Sequence, residues 1–266
     1  MDRASFGRMA TTPTDFAQDT DPLISVIVPI RNRCGTRVDN CLRSLRWQDL
    51  PPEHVEIILS DFGSDPEHLA AIETLAARHG VRVVSTPTDS LWNRSRALNI
   101  GIRSASGAYT LCTDADMIFQ PNFLSTLLLH AQKANDRTLV LCRCRDLPSE
   151  VPEQPWQAGD YDGLLARSTY RERLGVGACQ MARTHFFREI RGYDERYVFW
   201  GCEDRDLAYR AARFGLSQSW VHDKTSMLHQ WHPTLRHERP VLKMLNDIRF
   251  HLTKFKIRKN GPQWGT

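Results

Sequence analysis

Between residues 23 and 113, short apolar runs alternate with stretches of helical spacing, and this alternation constrains the fold more than any other feature. LISVIVP (23–29), VEIILS (55–60), VRVVS (81–85) and AYTLCT (108–113) are short and largely apolar, rich in Val and Ile, as strands buried on both faces are. Between them, TRVDNCLRSLRWQ (36–48) spaces Val38, Cys41, Leu42 and Leu45 as a helix would. PEHLAAIETLAARHG (66–80) opens on Pro and closes on Gly, and SRALNIGIRSASG (95–107) is expected as a helix closed by Gly107. A β-α-β-α order of this kind predicts a single α/β domain with a mostly parallel central sheet flanked by helices.

Ligands of such sheets bind beyond the carboxyl ends of the strands. Three expected strands end in polar residues: PIRNR (29–33), SDFGSD (60–65) and TDAD (113–116). Those ends should meet at one crevice.

Composition narrows the class. Hydrophobic residues make up 41% and charged residues 25% of 266, as in ordinary globular chains. A net charge of +4 is too small to argue for nucleic acid. Apolar runs such as LISVIVPI (23–30) fall far short of the ~20 residues of a membrane helix. MDRASFGRMATTPTDFAQDTD has no apolar core, so residues 1–21 read as a disordered leader and not a signal peptide. Seven cysteines without framework spacing predict free thiols and a reducing, cytoplasmic setting; Cys142 and Cys144 are expected to be structural.

Asp114 and Asp116 lie one residue apart, so a regular strand would point both to one face and make them repel. A hard divalent cation, Mn²⁺ or Mg²⁺, would resolve this, since such ions take carboxylate oxygens and keep positions for phosphates. A polar turn would also explain the pair, and so would a phosphohydrolase using Asp114 as nucleophile. Two aspartates cannot fill an octahedral shell; His229 and His232, in SMLHQWHP (226–233), are three apart and within reach of such an ion.

In VFWGCEDRDLAYRAARFGL (198–216), Leu207, Ala211 and Phe214 recur at helical spacing from Glu203, with Gly215 at the end. Glu203, Asp204 and Asp206 suit the positive end of that helix. The aromatic Tyr197, Phe199 and Trp200 before a glycine and a carboxylate also suit a sugar platform beside a general base. Arg31, Arg33, Arg94 and Arg96 offer charge for a diphosphate, and Asp61 an acceptor for a base N–H; a solvated arginine face is the plainer account.

DLPSEVPEQPWQAGDYDG (146–163), with three prolines and two glycines, is expected as a long mobile loop, a lid if Trp156 and Tyr161 order over a ligand. RPVLKMLNDIRFHLTKFKIRKNG (239–261) mixes apolar and basic residues; it suits a final helix packed on the domain or one lying on an anionic membrane face. The expected organisation is a leader (1–21), an α/β half (22–145), the loop (146–163), a second half (164–237) and a basic C-terminal helix and tail (238–266).

These motifs together resemble the family 2 glycosyltransferases, of GT-A fold, over most of residues 23–232. SVIVPIRNR and VEIILSDFGSD resemble that family's nucleotide-binding strands, with Asp61-Phe62-Gly63-Ser64 where D-D-G-S is usual. RALNIGIRSASGAYTLCTDADMIF is similar to the approach to the family's D-x-D. GYDERYVFWGCEDRDLAYRAARFG resembles a C-terminal W-G-G-E-D module shared by galactosyltransferases and chondroitin-type polymerases, with Cys202 in place of the second glycine.

The resemblance implies a nucleoside diphosphate sugar donor, UDP-sugar favoured, and a glycan, glycolipid or small hydroxyl acceptor. It implies metal binding by Asp116 with His229, His232 being the reserve, and ribose contact by Asp114. Pro29, Arg31, Arg33, Asp61, Arg94, Arg96 and Ala115 would complete the nucleotide side, and Trp200, Gly201 and Gly177 the acceptor side. Asp204 would be the base of an inverting transfer, or bind acceptor only in a retaining one, and Glu203 would orient hydroxyls; a non-catalytic nucleotide-sugar binder on the same fold is the alternative.

Overall fold

The computed structural model describes residues 22–172, 175–199, 201–233 and 239–266. The leader and Trp200 lie outside the described residues.

The first half follows the expected alternation. Strand β1 (Ile24–Ile30) is followed by helix α1 (Thr36–Arg46), β2 (Val55–Phe62), α2 (Pro66–His79), β3 (Arg82–Thr86), α3 (Arg94–Ser104) and β4 (Tyr109–Cys112). Every residue of β1 is buried because it pairs in parallel with β2 on one side and β4 on the other. Each Val or Ile side chain so buried contributes about 1.5–3 kcal/mol. Helix α2 starts on Pro66 with the Asp65 side chain accepting from His68 N, and stops at left-handed Gly80.

Helix α3 ends at Ser104, short of Gly107. Gly107 is there for a different reason: a Cβ would lie 2.7 Å from the Ser25 nitrogen, so the chain can pass β1 only without a side chain.

The second half departs from simple alternation. After β5 (Met117–Phe119) and α4 (Phe123–Lys133) come β6 (Thr138–Leu141), β7 (Arg145–Asp146), α5 (Tyr161–Arg167) and β8 (Thr169–Tyr170). Then follow β9 (Gln180–Arg183), α6 (Thr184–Ile190), α7 (Glu203–Phe214), β10 (Ser217–Trp220), β11 (Met227–His229) and α8 (Pro240–Thr253). The main sheet runs β10-β6-β9-β4-β1-β2-β3. Its pairings are parallel except at β9, which is wedged antiparallel between β4 and β6. A second sheet, β5-β11-β7-β8, sets β11 beside β5 and β7.

Residues 146–163, expected as a structureless loop, are tied down. Asp146 belongs to β7 and Tyr161 opens α5. The buried Asn40 side chain donates to Gln154 O and accepts from Trp156 N, and Leu147 N donates to His229 O. Tyr161 is buried, with its hydroxyl 2.9 Å from Ser226 Oγ, and Trp156 packs against its cluster. Aromatic burial and side-chain capping of the backbone supply what the proline-rich composition lacks. All seven cysteines are free thiols, Cys142 and Cys144 buried among them.

Candidate active site

The parallel register aligns the carboxyl ends of the strands: Ile30 sits opposite Asp61, and Asp61 opposite Ser85. Pro29 and Asp61 are buried there. Asp61 Oδ2 accepts from Ser85 Oγ (2.8 Å) and Oδ1 from Ser64 N (3.3 Å). Arg31 donates to Ser90 O across the same edge.

The aspartate pair is resolved between strands. β4 ends at Cys112 and β5 begins at Met117, so Asp114 and Asp116 sit in a turn and need not share a face. Asp114 turns to Arg94, whose Nε donates to its Oδ1 at 2.9 Å. Asp116 turns the other way, with Oδ2 3.2 Å from Arg33 Nη1 and 3.0 Å from His232 Nε2.

Asp116, His229 and His232 present ligand atoms within 4.8 Å of one another. His229 reaches the group because β11 pairs antiparallel with β5 in the register His229–Met117, while Gln230 N donates to Asp116 O and fixes the connecting backbone. His229 was expected as the ligand with His232 in reserve; the structure brings both, and His232 is the nearer, His229 Nε2 being 3.9 Å from Asp116 Oδ2. Burial alone would raise the Asp116 pKa. The His232 hydrogen bond and the fields of His229 and Arg33 outweigh it, holding the carboxyl well below the usual range. The hydrogen bond to Asp116 raises His232 in turn. Asp116 Oδ1 is buried and has no hydrogen-bond partner among the described residues, and a buried acceptor without one is costly. One carboxylate and two imidazoles around an orphaned oxygen fit a divalent metal ion. A cleft of about 390 Å³ opens beside them, lined by Arg33, Ala115, Asp116 and His232.

His229 is itself oriented by a residue that the sequence reading placed in the loop. Its Nδ1 lies 3.1 Å from Asp146 Oδ1, and Arg171 grips both oxygens of Asp146. No local pattern marks Asp146 for this role, because the pairing of Arg145 and Asp146 with Leu228 and His229 joins segments far apart in the chain.

The second carboxylate pair enters from α7. Cys202 and Gly201 both have positive φ, 76° and 103°, and swing the chain so that Glu203 and Asp204 open the helix. Glu203 is buried, and burial followed by the neighbouring Asp204 charge pushes its pKa up to about 7, although Arg94 opposes this. Arg94 Nη1 lies 3.8 Å from Glu203 Oε1. Gly177 fits between: its carbonyl accepts from Arg94 Nη2 at 2.9 Å, and a Cβ there would come 3.3 Å from Asp204 Oδ2.

Two of the candidate side chains face elsewhere. Arg96 donates to Thr266 O and lies 5.7 Å over the Phe62 ring; it faces the C-terminal tail and not the diphosphate edge, because helical spacing turns it away from Arg94. Tyr197 is no exposed sugar platform. It is buried, with its hydroxyl 3.3 Å from Asp206 Oδ1, in a network where Asp206 is paired with Arg210 and Lys259. That network anchors α7 from beneath.

Residues 25–191 match the model of glycosyl transferase family 2, and residues 164–233 match one described as the N-terminal domain of galactosyltransferase. Validoxylamine A glucosyltransferase of Streptomyces hygroscopicus subsp. limoneus is 25% identical, with 93% of this chain and 59% of that protein covered. N-acetylgalactosaminyltransferase 6 of Drosophila melanogaster is 28% identical over 71% of this chain and 31% of its own length. The chain therefore spans less than two thirds of these relatives. Among solved structures, GalNAc-T7 with UDP, GalNAc and Mn²⁺ superposes with a TM-score of 0.66 at 18% identity, covering 87% of this chain and 48% of that one. Mannosyltransferase PcManGT from Pyrobaculum calidifontis, in complex with GDP-Man and Mn²⁺, gives 0.58 at 19% identity, covering 92% and 66%. The fold is the expected GT-A fold.

Proposed function

This chain belongs to glycosyl transferase family 2, and we propose that it moves a sugar from a nucleoside diphosphate sugar to an acceptor hydroxyl with inversion, a UDP-sugar being the favoured donor. The observation that carries the reading is the Asp116–His229–His232 cluster at the carboxyl edge of the sheet, joined through Asp114 and Arg94 to the Glu203–Asp204 pair.

Asp61, buried with one oxygen toward Ser85, stands where it would accept the N3–H of a uracil. Asp114 would meet the ribose. Asp116, His229 and His232 would hold a divalent cation, which when bound neutralises the charge that builds on the leaving diphosphate. Arg33, beside Asp116, adds a second cation at that edge. The solved relatives named above were captured with UDP or GDP-Man together with Mn²⁺, which supports both the donor class and the ion.

An acceptor hydroxyl is too weak an acid to attack unaided at neutral pH, so a base must take its proton as the glycosidic bond forms. Asp204 is assigned that role: it stands at the mouth of α7 against Gly177. With its pKa pushed up to about 7, Glu203 in its protonated form can donate a hydrogen bond to a sugar oxygen while Asp204 accepts the hydroxyl proton. Two neighbouring carboxylates in environments this different divide the two roles. Asp114 is clasped by Arg94, which counts against its serving as a phosphohydrolase nucleophile. A sugar binder without catalysis would leave the Glu203–Asp204 pair unexplained.

Calorimetric titration of UDP and GDP, with Mn²⁺ and with EDTA, tests the donor side. Binding of one nucleotide should need the metal and disappear in Asp116→Ala; binding indifferent to both would overturn the assignment. Asp204→Asn should lower turnover about 10²–10⁴-fold while leaving that binding in place.

A further inference from the structure

Helix α8 carries an apolar stripe that the rest of the described molecule does not cover. Val241, Met244, Leu245, Ile248 and Leu252 recur at i, i+3, i+4, i+7 and i+11, and all are exposed; Leu252 is 74% exposed and Val241 63%. Phe255, just past the helix end, is 62% exposed. The opposite face holds the helix to the domain through buried Phe250 and through Asn246, which donates to Val198 O. Met244, Ile248, Leu252 and the Lys243–Asp247 pair line a shallow groove of about 510 Å³ on the exposed side. Contiguous exposed apolar surface of this kind marks an interaction site.

Charge identifies the partner. Residues 239–261 hold seven Lys or Arg and a single Asp; Lys243 pairs with Asp247, Arg258 with Glu189 and buried Lys259 with Asp206, which leaves the surface charge to the remaining cations. Among the described residues, Lys254 and Lys256 meet no carboxylate, although Lys254 lies near the Phe250 and Phe255 rings. An apolar helical face rimmed by unneutralised cations is the pattern that settles into an anionic lipid interface, apolar side in the acyl boundary and lysines at the headgroups.

We propose that α8 and the segment through Lys256 dock this protein onto an anionic phospholipid surface. The docking places the catalytic side at that surface. Asp247 of α8 accepts from Cys202 Sγ (3.0 Å) and Arg205 (3.3 Å), and Arg205 lies 4.0 Å over Phe250. Glu203 and Asp204 thus begin their helix directly against the docked element, and an acceptor anchored in lipid would be presented there. The docking stands independently of the proposed transfer reaction.

The experiment is co-sedimentation of the intact protein with vesicles of mixed phosphatidylcholine and phosphatidylglycerol, with pure phosphatidylcholine as control. The protein should bind the anionic vesicles only, and less as salt is raised. Each lysine near an anionic surface is worth about a fivefold change in partition, so Lys254→Gln/Lys256→Gln should lower binding roughly 25-fold. Met244→Gln/Ile248→Gln/Leu252→Gln, all at exposed positions, should reduce it to background with an unchanged circular dichroism spectrum. No binding to anionic vesicles, or binding that survives the apolar triple substitution, overturns the proposal. So does sedimentation velocity showing a dimer that the same triple substitution dissociates, since a second copy would then be what covers the stripe.

Discussion

Arg94 stands between Asp114 and Glu203: its Nη2 lies 2.7 Å from Asp114 Oδ1 and its Nη1 3.8 Å from Glu203 Oε1. One side chain, only 13% exposed, joins the turn after β4 to the start of α7. The guanidinium fork can serve both carboxylates and the Gly177 carbonyl at once, which an ammonium cannot.

Removing that fork should therefore disturb both halves together. Arg94→Met removes the cation shared by Asp114 and the buried Glu203; breaking a fully buried pair in this way costs about 3–5 kcal/mol. Urea denaturation should show a loss near the lower end of that range, since Asp114 is partly exposed. Arg94→Lys should recover part of the stability and little of the turnover. Full activity in Arg94→Met would remove the proposed link.

Glu203 makes stability depend on pH in a defined direction. Its folded pKa, about 7, lies above the ordinary 4.5, so the native state holds this proton more tightly than the unfolded chain. The resulting stabilisation is complete below about pH 4.5 and is lost as pH rises through 7. Glu203→Gln cannot ionise and should escape the loss. Denaturation midpoints of wild type and variant, measured from pH 5 to 8, should diverge on the alkaline side.

Metal affinity should move the opposite way. His232 must lose its proton to bind an ion, and Asp116 raises its pKa above the ordinary 6.5. Mn²⁺ binding followed by electron paramagnetic resonance should begin to weaken at a pH above 6.5, higher than an unperturbed imidazole would give. In Asp116→Ala, whatever binding remains should lose this early onset.

Asp146 should matter without touching any substrate. It orients the His229 ring through Nδ1, and loss of such a partner typically costs 10–100-fold in metal affinity. Asp146→Asn is expected to weaken Mn²⁺ binding by about that factor in calorimetry without nucleotide. An unchanged affinity would leave Asp146 as no more than the Arg171 counter-ion.

The sequence by itself determined the first half of the fold and the chemistry of its edge. Strand β1 is apolar at nearly every position because it is buried on both faces, and α2 announces itself through Pro66 and Gly80; these are local signals set by neighbours in the chain. Asp116, His229 and His232 were legible as residue types suited to one ion, and Glu203–Asp204 as a helix-opening acidic pair, because motif spacing survives without knowledge of distant contacts.

Only the tertiary structure decided what depends on partners far apart in the chain. The insertion of β9 between β4 and β6, and the small sheet that carries His229 to Asp116 and Asp146, are pairings between segments with no shared periodicity. Arg94 and Arg96 look equivalent in sequence, yet a two-residue step around α3 sends one to the carboxylates and the other to the tail. Tyr197 reads as a platform until the Asp206, Arg210 and Lys259 network buries it. The apolar residues of α8 would suit a packed helix equally well; the domain covers the face of Phe250 and leaves that of Leu252 to solvent. A pattern records which residues avoid water, while the packing of the whole chain decides which of them succeed.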